Sequence, residues 1–255
     1  MKLEVRQGGF FYRADEPLFR NVSFCLEDGE ILTILGPNGV GKTTLIKCIM
    51  GLCRWKEGNA FFNGAPLVSI DKTSGISFVP QAHSTTFDFT VEQMVSMGCA
   101  RTVSLFGSPK KEENQQVIRA METVGILPLR NRLCSHLSGG QRQLTYIARA
   151  LVSEPQLMIL DEPESHLDFK NQLMVLQLIE QLNHQGMSFI VNTHYPDHAL
   201  RISQKALLLG HDGFVFGETD HVISEEHVKQ YFDVDAKILK VPGKTRMAHT
   251  FVVVD

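Results

Sequence analysis

The apolar positions of this chain follow two rhythms. Ile31-Leu-Thr-Ile-Leu35, Leu157-Met-Ile-Leu160 and Ser188-Phe-Ile-Val-Asn192 are short runs rich in β-formers, with no polar alternation. Such runs predict strands buried on both faces, the condition of a parallel sheet covered by helices. Elsewhere the apolar residues recur at helical spacing. Leu45, Ile46, Ile49 and Met50 predict a helix over 43–50, with Gly51 placed to end it. Leu144, Ile147, Ala148 and Leu151 lie on one side of a second helix over 141–153, and a third is predicted over 170–185. Strands and helices in alternation imply an α/β domain.

Two regions depart from that alternation. Residues 2–35 and 57–64 have antiparallel character, with Gly58-Asn59 and Asn63-Gly64 as turn signals. The segment 87–137 reads as helical. Thr90-Val-Glu-Gln93 is a capping box, Gly98 a stop for that helix, Ser108-Pro109 a start for the next and Gly125 its stop. We read this segment as a lobe inserted between core segments 1–86 and 138–222. His211-Asp212-Gly213 predicts a hairpin, and 224–232 a last short helix, so 223–255 is a C-terminal helix and tail of a single domain 1–255.

Composition narrows the function classes. The chain has 255 residues, 43% of them apolar and 21% charged, the make-up of an ordinary globular domain. A net charge of −3 gives no basic field and argues against nucleic acid as the main ligand. Five cysteines with no C-x-x-C pair argue against a disulfide framework or a zinc site and fit a reducing compartment. The opening Met1-Lys-Leu-Glu-Val-Arg lacks the apolar core of a signal peptide, and no apolar run is long enough to span a membrane. The expectation is a cytoplasmic protein whose membrane role, if it has one, comes through a partner.

The chemistry is concentrated in a few stretches. Gly36-Pro37-Asn38-Gly39-Val40-Gly41-Lys42-Thr43 fits G-x-x-x-x-G-K-[ST] at every fixed position, between a predicted strand and a predicted helix. The N–H groups of Gly39 to Thr43 should ring a β-phosphate at a helix N-terminus. Lys42 would reach the β- and γ-phosphates and the Thr43 hydroxyl a Mg²⁺ ion, and Thr44 completes the nucleotide-binding candidates. Asp161 and Glu162 emerge at the C-terminal edge of a buried strand, where ligands sit in open α/β sheets. Alone such a pair could be merely solvated. Beside a phosphate loop, Asp161 is placed to hold Mg²⁺ and Glu162 to orient and deprotonate a water. The Gln81 amide could contact both Mg²⁺ and that water, and His194 the γ-phosphate, although a loop glutamine and a strand-end histidine are commonplace. His194 and His198 are four residues apart, but Pro196 between them breaks helical geometry, which argues against zinc.

Leu137-Ser138-Gly139-Gly140-Gln141 supplies a second anion site, because Ser138 is a natural N-cap and the Gly139 and Gly140 amides are free. One ATP needs one such site. The economical explanation is that this one serves a γ-phosphate bound to another chain.

Taken in order, the phosphate loop, Gln81, Leu137–Gln141, Asp161-Glu162, Ser165-His-Leu-Asp168 and His194 resemble the ATP-binding cassette (ABC) ATPases across essentially the whole chain. The resemblance implies a P-loop NTPase fold with a mainly parallel RecA-like core, an antiparallel β subdomain and an inserted helical subdomain. It implies that Tyr12 stacks on adenine, with Phe10 and Phe11 as nearby candidates. It also implies that Ser138, Gly140 and Gln141 close over a partner's ATP, and that Asp168 couples the two sites.

Phe89 to Gly98, Leu105-Phe-Gly-Ser-Pro109 and Ile223 to Phe232 look like the ATPases of importers for iron–siderophore, haem, vitamin B12 and molybdate-type ligands. Two positions depart from that group, Cys99 where arginine is usual and Glu164 where threonine is usual. The implied function is an ATPase that dimerises around two ATP and two Mg²⁺. It would drive a membrane permease fed by a substrate-binding protein, from the inner face of the cell membrane. The permease helix would dock between core and lobe, near Gln81 and residues 82–106. The alternatives are import of zinc or manganese, export, or a soluble scaffold ATPase such as one in iron–sulfur cluster assembly.

Overall fold

The non-alternating runs lie at the centre of the molecule. The computed structural model of the protein describes residues 1–13, 16–81, 88–101, 111–242 and 247–254. In chain order the first half contains β1 (Leu3–Arg13), β2 (Glu16–Leu26), β3 (Ile31–Leu35), α1 (Lys42–Ile49), β4 (Glu57–Phe62), β5 (Ala65–Pro66), β6 (Ile76–Val79), α2 (Val91–Ser96) and α3 (Lys111–Thr123). The second half contains α4 (Gly139–Leu151), β7 (Leu157–Asp161), α5 (Phe169–His184), β8 (Ser188–Asn192), α6 (Pro196–Ile202), β9 (Lys205–Gly210) and β10 (Gly213–Glu218). It closes with α7 (Thr219–Val222), α8 (Glu225–Phe232), β11 (Ala236–Pro242) and β12 (Met247–Val253).

Six strands form one sheet in the order β10-β9-β3-β8-β7-β6, parallel throughout except for β10 at one edge. Every residue of β3, β7 and β8 is buried. The two faces of these strands serve different cores. Ile31, Met158, Leu160, Phe189 and Val191 pack under α2 to α5. Leu32, Ile34, Leu157, Ile159 and Ile190 pack with α1 and the antiparallel sheet β2-β1-β4-β5. A strand with apolar neighbours on both sides has no solvent-facing side, which is why these runs do not alternate.

The antiparallel expectation for 2–35 holds only through Leu26, since Ile31–Leu35 pairs in parallel with β8 and β9. Asn63-Gly64 is the β4–β5 turn, both residues at positive φ. Gly58-Asn59 is not a turn; it lies inside β4, opposite a register shift of β1. The hairpin at 211–212 joins β9 to β10 as the sequence predicts. The tail beyond α8 is not featureless, because β11 and β12 pair antiparallel. Ala236, Ile238 and Phe251 of that hairpin pack in a third apolar cluster with residues of α6 to α8.

The described part of 87–137 is helical and joined to the core rather than separate from it. Val91, Met94, Val95, Val117, Met121 and Ile126 share one continuous apolar cluster with Leu144 and Ile147 of α4. Thr90 and Gln93 make the reciprocal capping box at the start of α2. The Ser108-Pro109 helix start and the 105–109 stretch lie outside the described residues, as do residues 82–87 and 102–106 at the two ends of the proposed docking segment 82–106. Cys99 is buried in the same cluster, where a small thiol packs and a long cation would be desolvated.

Gly98 does not stop α2. It lies in a 3₁₀ turn over Met97–Arg101, and a Cβ there would stand 2.1 Å from the Arg149 carbonyl oxygen. The position needs glycine because α4 passes against it. We expect Gly98→Ala to cost about 1–3 kcal/mol through forced separation of the two segments. In thermal denaturation that lowers Tm by several degrees. A variant that melts with the wild type would show that the 97–101 turn lies further from α4.

Candidate active site

The phosphate-loop residues, Glu162 and His194 converge beyond the C-terminal ends of β3, β7 and β8. They share a cavity of about 330 Å³, with Tyr12 and Leu18 at its outer wall. Asn38, Gly39, Gly41, Lys42, Thr43 and Thr44 all line it. The loop turns in a conformation that a side chain could not follow. Gly36 has φ 143°, and a Cβ on it would stand 2.0 Å from the Leu209 carbonyl oxygen. Gly41 has φ 103° at the N-cap of α1, with the Leu18 side chain 2.8 Å from where its Cβ would be. Val40 anchors the loop from beneath, buried in the core.

Lys42 is buried, and its Nζ donates to the carbonyls of Gly36 at 2.7 Å and Pro37 at 2.8 Å. Burial pushes its ammonium below the usual range, while the Glu162 and Asp161 carboxylates hold it up. A cation held only by neutral carbonyls is poised to prefer an anionic oxygen.

Asp161, the last residue of β7, is buried, and its Oδ1 accepts from Asn192 Nδ2 at 2.6 Å. Burial pushes its carboxyl up, opposed chiefly by that Asn192 bond. Glu162 follows at φ 49°, outside the sheet geometry. A non-glycine residue in that region stores about 1 kcal/mol or more, and such strain clusters at functional positions. The turn aims the carboxylate into the cavity, where Oε1 lies 2.6 Å from His194 Nε2. Its Oε2 accepts from Ser165 Oγ at 2.8 Å and Gln81 Nε2 at 3.0 Å. Gln81, Glu162 and His194 therefore form one hydrogen-bonded cluster at the mouth of the phosphate loop.

Of the three aromatics on β1, Phe10 is buried and Phe11 lies under the Arg20 and Lys56 cations. Tyr12 is 76% exposed, braced edge-on by Phe10 at 5.0 Å, and its ring is the one at the cavity.

The structure does not bring the Ser138 stretch into that cavity. Ser138 caps α4, accepting from Gln141 N at 3.3 Å, while its own N–H donates to Gln141 Oε1 at 3.1 Å. The Gly139 and Gly140 N–H groups have no acceptor among the described residues. Both glycines lie against the start of α5: Cβ atoms on them would stand 3.1 Å from Leu167 and 2.3 Å from Asn171. Asp168 caps α5 through Asn171 N at 2.8 Å and is exposed. One loop, 162–168, thus touches Glu162 through Ser165 at one end and the Ser138 stretch at the other.

Ser165 and Asn192, which hold the two carboxylates, escape a reading of sequence alone. A polar residue closing the apolar Phe189-Ile-Val191 run of β8 was the available signal for Asn192. His198 sits in α6, which Pro196 starts rather than breaks, and its Nδ1 is 3.5 Å from Glu164 Oε1. Among the described residues no three His, Cys, Asp or Glu side chains cluster as a metal cage.

Residues 19–165 match the family model described as ABC transporter. The chain is 38% identical over 231 residues to a molybdate import ATP-binding protein of Haemophilus influenzae, covering 90% of this chain and 87% of that one. It is 32% identical over 245 residues to an iron(3+)-hydroxamate import ATP-binding protein of Bacillus subtilis, covering 94% and 91% of the two chains. A solved ABC transporter of metal-chelate type, in an inward-facing conformation, superposes with a TM-score of 0.90 at 35% identity, covering 99% of this chain and 97% of that one.

Proposed function

The chain belongs to the ABC transporter family as an ATPase coupled to transport, and on that premise we propose that two copies close around two ATP molecules to drive an importer. The observation that carries the reading is the incompleteness of one copy. Lys42, Glu162 and His194 share a cavity, while the free amides of Gly139 and Gly140 lie outside it. Exposed Ser138, Asp168 and Phe169, the last 82% exposed, form a face suited to a second copy.

In this reading ATP lies across the phosphate loop with adenine on Tyr12. Its γ-phosphate draws Lys42 Nζ from the Gly36 and Pro37 carbonyls, because a charged acceptor outcompetes two neutral ones. Glu162 accepts a proton from the attacking water, and His194 and Gln81 orient that carboxylate. The residues present suit Mg²⁺, which takes one or two carboxylates and substrate phosphates rather than an all-protein cage. Asp161, Thr43 and Gln81 would hold it, and when bound it neutralises charge on the β- and γ-phosphates.

The importer reading and its metal-chelate or molybdate-type cargo are supported by the relatives' names. Among the described residues no helix is long and apolar enough to cross a membrane, so the transport path belongs to a partner. The permease sits in the cell membrane with this chain on its inner face, and a substrate-binding protein delivers the cargo.

The test is purification of the full chain from detergent-solubilised membranes. A polytopic membrane subunit should accompany it, and reconstituted together the two should hydrolyse ATP faster when the binding protein delivers cargo. Recovery with soluble assembly proteins alone would favour the scaffold alternative.

A further inference from the structure

Glu164 is the carboxylate in this loop with no role in the site described above. Its side chain is 1% exposed. Oε1 accepts a hydrogen bond from the Thr193 hydroxyl, with His198 Nδ1 at 3.5 Å, and Oε2 has no partner among the described residues. A buried carboxyl that is only half satisfied costs free energy. Its placement therefore needs a compensating use.

What it joins suggests that use. The Thr193 hydroxyl that donates to Glu164 also accepts from Tyr195 N at 3.1 Å, so the residues on both sides of His194 are tied to one point. On its own strand-to-helix loop, the Glu164 carbonyl accepts from Leu167 N at 3.3 Å and Gln172 Nε2 at 3.5 Å. Glu164 thereby pins the 193–195 turn to the 162–168 loop, and the groups carried by those two segments meet at the 2.6 Å contact of His194 with Glu162.

We propose that Glu164 is a positioning residue for ATP hydrolysis, fixing His194 against Glu162 through the Thr193 hydroxyl. It touches neither nucleotide nor water. This inference rests on the reading of Glu162 and His194 given under Proposed function. Displacement of a catalytic group by about 1 Å can cost up to roughly a hundredfold in rate, so loss of one tether out of several should cost less.

Steady-state ATPase assays on the full chain, with thermal melts alongside, test the proposal. E164A should lower kcat about tenfold with KM for Mg-ATP within about twofold, since the phosphate loop is untouched. E164Q keeps an acceptor for Thr193 and should retain kcat within about twofold. T193V, similar in shape but without the hydroxyl, should reproduce the loss, and adding E164A to it should lower kcat no further, as expected of two residues in one chain of contacts. Additive losses, an E164Q variant as slow as E164A, or an E164A variant at the wild-type rate would each overturn the proposal. If E164A does not fold, T193V decides alone, because wild-type turnover in it removes the tether. H194A is the control for the underlying reading. A fast H194A variant means that His194 itself was misassigned, whereas a slow H194A beside a fast E164A rejects the tether only.

Discussion

Glu162→Gln should bind Mg-ATP as tightly as the wild type and hydrolyse it at least about a hundredfold more slowly, the usual range for removing a general base. The geometry says why the variant folds. An amide oxygen can still accept from Ser165 and Gln81, and the amide nitrogen can still face His194. The backbone at φ 49° carries the same strain for either side chain. What disappears is a site that accepts a proton from water. In the two-copy reading the ATP-bound closed state then accumulates, so size exclusion with Mg-ATP should show a dimer that wild-type protein forms only transiently. Equal hydrolysis rates would remove Glu162 from the base role and leave water activation to the phosphate itself.

The parts of the protein that were legible in its sequence are those in which one local rule decides. β3 and β8 are found at the residues their apolar runs mark, and α1 at the helix start that the phosphate loop sets. The Thr90 box closes because three-residue spacing is enough to satisfy both groups, and the expected Ser138 N-cap forms, with Gln141 completing a box there that the sequence reading did not name. Errors arose where tertiary neighbours overrule a local signal. Gly58-Asn59 carries a turn signature, but β1 pairs across it and turns the glycine into an irregularity of the strand. Gly98 looks like a stop, but its reason is the Arg149 carbonyl, far away in sequence. The β11–β12 hairpin escaped because its apolar residues, Ile238 and Phe251, face helices α6 to α8 and not the main core.

The site shows the same division. Lys42, Thr43, Asp161 and Glu162 sit in fixed motifs and could be picked out directly. Ser165, Asn192 and Thr193 could not, because each acts by touching another side chain, Ser165 within its own loop and the other two between neighbouring segments. Glu164 was visible only as a departure from the related importers. Its burial and its bond to Thr193 give that departure a physical meaning that spacing along the chain could not supply.

Ser138→Arg tests the claim on which the two-copy model stands. Ser138 is exposed, so the arginine has room, and the cost to its own chain is loss of one helix cap, about 1 kcal/mol. Its own phosphate loop lines a cavity that Ser138 does not reach and should bind nucleotide normally. Yet turnover should fall by about a hundredfold, the scale for removing donors preorganised around a developing anion. Mixing separates a shared site from a damaged one. A Glu162→Gln chain and a Ser138→Arg chain, each inactive alone, should recover activity when combined before ATP is added. In the mixed pair one site joins the intact Glu162 of the second chain to the intact Ser138 of the first. If each chain hydrolyses ATP by itself, no mixture can repair either variant. Activity that reappears only on mixing therefore requires the carboxylate and the Ser138 stretch of one working site to come from two different chains.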